Sequence, residues 1–112
     1  MAQSIGLFSL TNSGGFAVEL QFDYFDTATS TWIKMNGTGM YPNPQTRTLG
    51  LQQYGCPNGA TVRIHADVVW GIDKVGDESF TCDYSNTNVA TYVISGASLT
   101  ADLKFLGVTV PA

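Results

Sequence analysis

Side chains that could do chemistry are most concentrated in one stretch of the chain, DVVWGIDKVGDESFTCDY at residues 67–84. Within it Asp73, Asp77 and Glu78 bring three carboxylates close together in sequence. Ca²⁺ binds six to eight oxygens, often from loop carboxylates and carbonyls, so these three residues are candidate metal ligands. Their spacing does not match the EF-hand pattern. We therefore favour the alternative, a loop between two strands whose acidic side chains are solvated.

The single imidazole of the chain is the natural candidate for a general base. His65 alternates with Arg63 and Asp67, so all three side chains are predicted to lie on the same outward face of a strand. That arrangement is typical of a solvated row of charges. The sequence also lacks a phosphate-binding Gly-rich loop and the motifs G-x-S-x-G and H-E-x-x-H. We predict no catalytic residue and no enzymatic activity.

The two cysteines differ in their predicted surroundings. Cys82 shares its parity with Phe80 and Tyr84 and is expected to be buried and inert. Cys56 lies in the turn segment YGCPNG and is the more reactive candidate, although no neighbouring base would lower its pKa. Two reduced thiols and one disulfide both remain open. With one histidine in the chain, these cysteines do not complete a zinc site.

Aromatic and amide side chains in predicted loops are the best candidates for ligand contacts. Exposed aromatic rings stack on sugar rings, and amide groups hydrogen-bond to hydroxyls. Rings of the same kind also prefer the membrane–water interface. The alternative is that the aromatic residues pack over the ends of the domain. The candidate ligand-binding residues are Trp32, Tyr41, Asn43, Gln45, Tyr54 and Asn58.

Composition and charge exclude several classes of function. Of the 112 residues, 44% are hydrophobic and only 12% are charged, and the net charge is −4. The five basic residues are scattered, so neither nucleic acid nor a polybasic contact with an anionic membrane is expected. No signal peptide and no apolar run of about 18 residues is visible, which predicts cytoplasmic synthesis, with release by a non-signal route as an open alternative.

The elements that must position these residues are predicted to be strands, because the dominant hydrophobic period is two. The pattern is clearest at residues 15–25, 60–71 and 98–107, and it assigns Trp70 to the core. Weaker runs bring the total to about eight strands separated by turn signals. We predict a single all-β domain over residues 1–112, an antiparallel β-sandwich with immunoglobulin-like or jelly-roll-like topology.

The sequence therefore predicts a non-enzymatic binding protein. A lectin-like, carbohydrate-binding β-sandwich is the first interpretation, with a glycan as partner. The alternative is a cytolysin-like β-sandwich that binds membrane lipid head groups. A second alternative is a structural or self-assembling protein that forms homo-oligomers through its sheet faces or edges. No cofactor is predicted apart from the candidate Ca²⁺ described above.

Overall fold

The computed structural model describes residues 2–111, and within that range the chain forms eleven strands and no helix. The predicted all-β class is confirmed. The strands are β1 (Ser4–Ile5), β2 (Leu7–Asn12), β3 (Val18–Asp26), β4 (Thr31–Lys34), β5 (Met40–Tyr41), β6 (Thr46–Gly50), β7 (Thr61–Val68), β8 (Lys74–Val75), β9 (Phe80–Cys82), β10 (Val89–Ser95) and β11 (Asp102–Thr109).

The strands form two sheets that pack as a sandwich. The larger sheet has the order β1-β9-β7-β3-β4, with β5 also paired to β3 and β8 to β7. The smaller sheet has the order β11-β10-β2-β6. Most pairs are antiparallel, but β1 with β9 and β2 with β10 are parallel. The prediction of a purely antiparallel sandwich is therefore corrected to a mixed one.

The core lies between the two sheets and is supplied by alternate residues of their central strands. In β7 every second side chain is buried, from Val62 to Val68, and β10 follows the same alternation. Phe8 and Tyr92 of the smaller sheet bring aromatic rings into this core, 6.2 Å apart between ring centroids. The period of two seen in the sequence thus corresponds to one buried and one outer face of each sheet.

Two side chains that the alternation assigned to the core lie outside it. Trp70 was predicted to be buried, but β7 ends at Val68 and the Trp70 side chain is 92% exposed. Leu99 was placed in a strand, but β11 begins only at Asp102, and Leu99 is 67% exposed. In each case a turn lies inside the predicted strand, after the end of β7 or before the start of β11. The alternation of buried and exposed side chains therefore does not extend to Trp70 or Leu99.

Candidate functional site

Four loops meet at one end of the sandwich. Pairing of Val18 with Val68, and of Ser95 with Asp102, brings the loops that adjoin these strand ends together. The loops contain none of the chain's charged side chains. They comprise residues 13–17, 42–45, 69–72 and 96–100.

Three large apolar side chains of these loops are exposed, and we call them the apolar end. They are Trp70, Ile72 and Leu99, with exposed fractions of 92%, 59% and 67%. Large hydrophobic groups that cluster on a surface commonly mark a contact with a partner or a membrane. At the opposite end of the sandwich, the described residues expose only Tyr84 and Val110 among large hydrophobic side chains.

Two tight turns present the apolar end. The Gly71 N–H donates to the Val68 carbonyl at 3.1 Å, which makes Trp70 the third residue of a four-residue turn. The Thr100 N–H donates in the same way to the Ala97 carbonyl at 3.0 Å, so Leu99 is also third in its turn. Each turn therefore directs a large apolar side chain away from the sandwich.

The two turns are held against each other by backbone contacts. The Ile72 N–H lies 3.4 Å from the Ser98 carbonyl oxygen. A Cβ atom on Gly71 would lie only 2.0 Å from the same oxygen, so this approach requires glycine. The Val69 N–H also donates to the Ala17 carbonyl at 3.0 Å. The two turns are therefore fixed relative to each other, and their exposed side chains form one surface.

The backbone of Trp70 is strained. Its φ is 60°, a left-handed conformation in which Gly or Asn is usual and a bulky side chain is an outlier. Such conformations cost about 1–3 kcal/mol and concentrate at functional sites. The ring is almost fully exposed, so packing within the domain does not offset the strain. This combination makes Trp70 the strongest single candidate for a functional residue.

A charged cluster lies behind the apolar end, on the outer face of the larger sheet. The buried Asp23 carboxylate accepts from Arg63 Nε at 2.9 Å and lies 2.9 Å from His65 Nδ1. His65 Nε2 lies 2.7 Å from the carboxylate of Asp73, which directly follows Ile72. The predicted solvated row around His65 is therefore corrected to a half-buried hydrogen-bond network, because the loop after β7 folds back over the imidazole.

The network sets the ionisation of its members. Burial disfavours the charged forms of Asp23 and His65, but the hydrogen bonds outweigh burial. Bonds from His65 and Arg63 hold the pKa of Asp23 below its usual value, and bonds to Asp23 and Asp73 raise the pKa of His65. The cluster therefore favours an imidazolium ion between two carboxylates.

The structure does not bring the six predicted ligand-binding residues together. Tyr41, Asn43 and Gln45 lie near the apolar end, whereas Tyr54 and Asn58 lie at the opposite end. Tyr41 is buried, and its hydroxyl donates to the Leu10 carbonyl at 2.7 Å, so its ring is not available to stack on a ligand. The proline-rich sequence around Tyr41 suggested an exposed loop, but β5 pairs with β3 and draws this side chain into the core.

The other members of this predicted set have structural contacts of their own. Asn43 donates to the Gly14 carbonyl at 3.1 Å, while the Gln45 carbonyl accepts from the Asn12 N–H at 3.0 Å. The Trp32 ring lies under the Arg63 guanidinium, 4.1 Å from its centroid. These contacts order the loops without forming a common pocket.

The three predicted metal ligands point to different partners. Asp73 bonds to His65, and the Glu78 carboxylate accepts from the Tyr92 hydroxyl at 2.9 Å. Asp77 is exposed. Among residues 2–111, no three side chains of the metal-binding types form a group that could hold an ion. The prediction of a loop with solvated acids is therefore corrected, because the carboxylates of Asp73 and Glu78 hold side-chain hydrogen bonds and the stretch contains β8.

Both cysteines are buried as free thiols. The prediction for Cys82 is confirmed, whereas Cys56 was expected to be the reactive one and is fully buried. Burial raises the pKa of both thiols, and their contact with each other raises that of Cys56 further. Cys56 is therefore an unreactive core residue, because the turn that carries it folds inward against β9.

Sequence reasoning missed the apolar end. The available signal was the pair of uncharged segments VWGI and GASLT, each of which combines at least one large apolar side chain with a glycine. Glycine beside an aromatic residue marks a turn as readily as a strand end. The alternation of apolar and polar residues in the adjoining strands is regular, and the prediction therefore extended both strands into these turns.

No family model matches the chain, and no curated protein matches it. Solved structures do resemble it. Listeriolysin O matches with a TM-score of 0.50 and 13% identity over 96% of this chain and 22% of that one. Pneumolysin matches with a TM-score of 0.48 and 13% identity over 95% of this chain and 23% of that one.

The membrane-binding domain of pneumolysin matches with a TM-score of 0.45 and 13% identity, over 95% of this chain and 98% of that domain. The chain thus spans less than a quarter of the listeriolysin O and pneumolysin chains. At 13% identity the likeness to listeriolysin O is one of fold. This chain is similar in its β-sandwich to one part of that longer protein.

Proposed function

We propose that this protein is a non-enzymatic, membrane-binding β-sandwich that contacts lipid through its apolar end. The observation that carries the proposal is Trp70, 92% exposed on a turn whose backbone is strained to present it. Tryptophan prefers the interface between head groups and hydrocarbon, because its apolar ring contacts the hydrocarbon while its N–H donates a hydrogen bond in the head-group layer. Ile72 and Leu99 would enter the same layer.

The energetics suit a reversible contact. Burial of a large apolar side chain contributes about 1.5–3 kcal/mol, so three such side chains supply enough for surface binding. The loops around them carry no charge that would have to be desolvated. Within residues 2–111 no helix is long and apolar enough to cross a bilayer. The proposal concerns contact with the membrane surface.

The fold comparison supports a cytolysin-like role. A β-sandwich of this kind forms part of listeriolysin O, whose name describes a lysin. We propose that the present domain serves as the lipid-contacting part of a cytolysin-like protein. Its net charge of −4 makes zwitterionic vesicles a better target than anionic ones.

Vesicle flotation with phosphatidylcholine, with and without an anionic lipid, tests the proposal. We expect the protein to float with phosphatidylcholine vesicles and Trp70→Gly to reduce the bound fraction at least tenfold. Val110→Ser, which removes an exposed apolar side chain at the opposite end, is the matched control and should bind as the wild type does. Absence of the wild type from every lipid fraction would refute membrane binding, and equal binding by Trp70→Gly would refute contact through the apolar end.

A second candidate function, saccharide binding, is favoured by a groove at the opposite end. The groove has a volume of about 450 Å³. Tyr84 lies in it with its ring half-exposed, its hydroxyl donating to the Cys56 carbonyl and its N–H to Asn58 Oδ1 at 3.0 Å. A ring fixed in this way beside amides suits a sugar face. The amide side chains that line the groove belong to Gln52, Gln53 and Asn86.

The saccharide candidate has its own test. A glycan array should show a defined epitope, and Gln52→Ala with Gln53→Ala should remove that signal while flotation stays unchanged. An array without any bound glycan would eliminate this candidate. Because the groove and the apolar end lie at opposite ends of the sandwich, the two functions can be separated by mutation.

A further inference from the structure

The imidazole of His65 lies between two carboxylates, and this geometry fixes what its protonation does. Nδ1 is 2.9 Å from Asp23 Oδ1, and Nε2 is 2.7 Å from Asp73 Oδ2. An ionised carboxylate only accepts hydrogen bonds, and a neutral imidazole has one N–H to donate. Both bonds therefore form together only when the ring is protonated. We call Asp23, His65 and Asp73 the histidine bridge.

The two ends of the bridge differ in burial. The side chain of Asp23 is 4% exposed and also bonds to Arg63, whereas that of Asp73 is 39% exposed. When His65 loses a proton, the remaining N–H stays with the buried carboxylate, which water cannot solvate. The lone pair on Nε2 then faces Asp73, whose carboxylate is free to turn into solvent.

The bridge also has charged neighbours. Burial raises the pKa of Asp67, and the neighbouring carboxyl group of Asp73 raises it further. Lys34 lowers that pKa in part and Glu19 raises it. An additional acid beside Asp73 increases the repulsion that Asp73 experiences once His65 is neutral. The neighbours therefore favour release of Asp73 upon deprotonation.

Release of Asp73 affects the apolar end directly. Asp73 follows Ile72 in sequence and is three residues from Trp70, and its bond to His65 adds a side-chain attachment to the backbone pairing of β8 with β7, which begins at the next residue. We propose that His65 and Asp73 are positioning residues for lipid contact, holding Trp70 and Ile72 in place while the imidazole is protonated. This inference rests on the proposed function.

The direction of the pH effect follows from the chemistry. The pKa of His65 is raised above the ordinary 6.5, so the bridge is complete at and below pH 6.5 and is lost as the pH rises through that raised value. One charge-assisted hydrogen bond corresponds to about tenfold in an equilibrium constant. We expect affinity for phosphatidylcholine vesicles to fall up to about tenfold between pH 6 and pH 9.

Substitutions at position 73 test the bridge with the full-length chain. An amide both donates and accepts, so Asp73→Asn keeps the contact with either form of His65 and should bind vesicles with high affinity at every pH. Asp73→Ala removes the contact and should bind weakly at every pH. Asp77→Asn makes the same change of charge outside the bridge and should show the wild-type pH dependence.

Two measurements separate failure of the bridge from failure of membrane binding. If the wild type binds vesicles equally from pH 6 to pH 9, the positioning role is wrong and membrane binding stands. If it binds at no pH, both proposals fail. NMR of the lipid-free protein then reports on the bridge itself: the Ile72 amide should titrate together with His65 in the wild type and not in Asp73→Asn, and a non-titrating Ile72 amide contradicts the bridge.

Discussion

At the scale of single residues, Trp70 shows how an exposed side chain can be costly in two ways. Its ring buries almost nothing within the domain, and its φ of 60° lies in a region that disfavours side chains with a Cβ. A core tryptophan would instead contribute several kcal/mol through packing. Neither cost is offset inside the chain, and the proposed contact with lipid would supply the gain.

Replacement of Trp70 by glycine should have opposite effects on stability and on vesicle binding. Trp70→Gly relieves the strained backbone, whereas Trp70→Ala keeps a Cβ in the same conformation. We expect the glycine variant to have a free energy of unfolding about 1 kcal/mol above that of the alanine variant, measured by urea denaturation. Both variants should lose vesicle binding.

The outcome also decides between a surface and a core role. If either variant lowered the free energy of unfolding by about 3 kcal/mol, as truncation of a buried tryptophan does, Trp70 would be a packing residue. Trp32, whose ring lies under the Arg63 guanidinium, provides the comparison for a tryptophan with neighbours.

At the scale of elements, the pairing of β3 with β7 carries the charged cluster. Register places Asp23 opposite Arg63, and Gln21 opposite His65. The outer face of these two strands is therefore half-buried under the loop after β7 instead of facing water. Period-two alternation identified both strands, but it describes one strand at a time and gives no information about what covers the outer face.

The cluster predicts how stability depends on pH. The pKa of His65 is higher in the folded chain than the ordinary 6.5, so its contribution is fully present below pH 6.5 and is lost as the pH rises through the folded value. The free energy of unfolding, from urea titrations, should decline above pH 6.5. His65→Gln should remove this decline, and a wild type without it would contradict an imidazolium in the fold.

At acidic pH the dependence of the free energy of unfolding on pH is less simple, because protonation of Asp23 and protonation of Asp67 change it in opposite directions. The pKa of Asp23 is lowered from 3.8, so its contribution is present above pH 3.8 and is lost as the pH falls through the folded value. The pKa of Asp67 is raised, and protonation of this group favours the folded chain. The decline in the free energy of unfolding above pH 6.5 is therefore the clearer measure of the hydrogen-bond network.

Some elements could be predicted from the sequence and others could not, for physical reasons. Strands β3 and β7 were predictable because each buries one face against the core over eight or nine residues. The apolar end was not, because β7 ends three residues before the predicted boundary at residue 71 and β11 begins four residues after the predicted boundary at residue 98. The alternation of buried and exposed side chains does not apply to the residues between. The histidine bridge joins residues on different elements, and a single sequence carries no signal for such contacts.

At the scale of the whole molecule, parallel pairing joins the two ends of the chain. Strand β2, at residues 7–12, lies between β6 and β10 in the smaller sheet and runs parallel to β10. The hydrophobic pattern of a strand does not indicate which strand it pairs with, and these two segments are about eighty residues apart. Closing so long a loop also has an entropic cost. The antiparallel prediction was wrong for this reason.

The edges of the sandwich bear on self-assembly, which remains a prediction. Strand β11 is an edge strand of eight residues, and Leu106 is 56% exposed on it. The register between β10 and β11 shifts at this point, which places a bulge on the edge. Bulges on edge strands hinder pairing with another copy. Homo-oligomers are therefore better sought through the sheet faces than through this edge.

The position of β2 predicts that the N-terminal segment is indispensable for folding. Deletion of residues 2–12 removes β1 and β2, separates β6 from β10 and takes the core side chains of Phe8 and Leu10 out of the fold. We expect this variant to lack the β-sheet circular dichroism and the cooperative unfolding of the full chain. Deletion of residues 110–112, which follow β11, should change neither. If the variant lacking residues 2–12 unfolded cooperatively, the smaller sheet would have to hold without its inner strand, and the parallel pairing of β2 with β10 would not be an integral part of the fold.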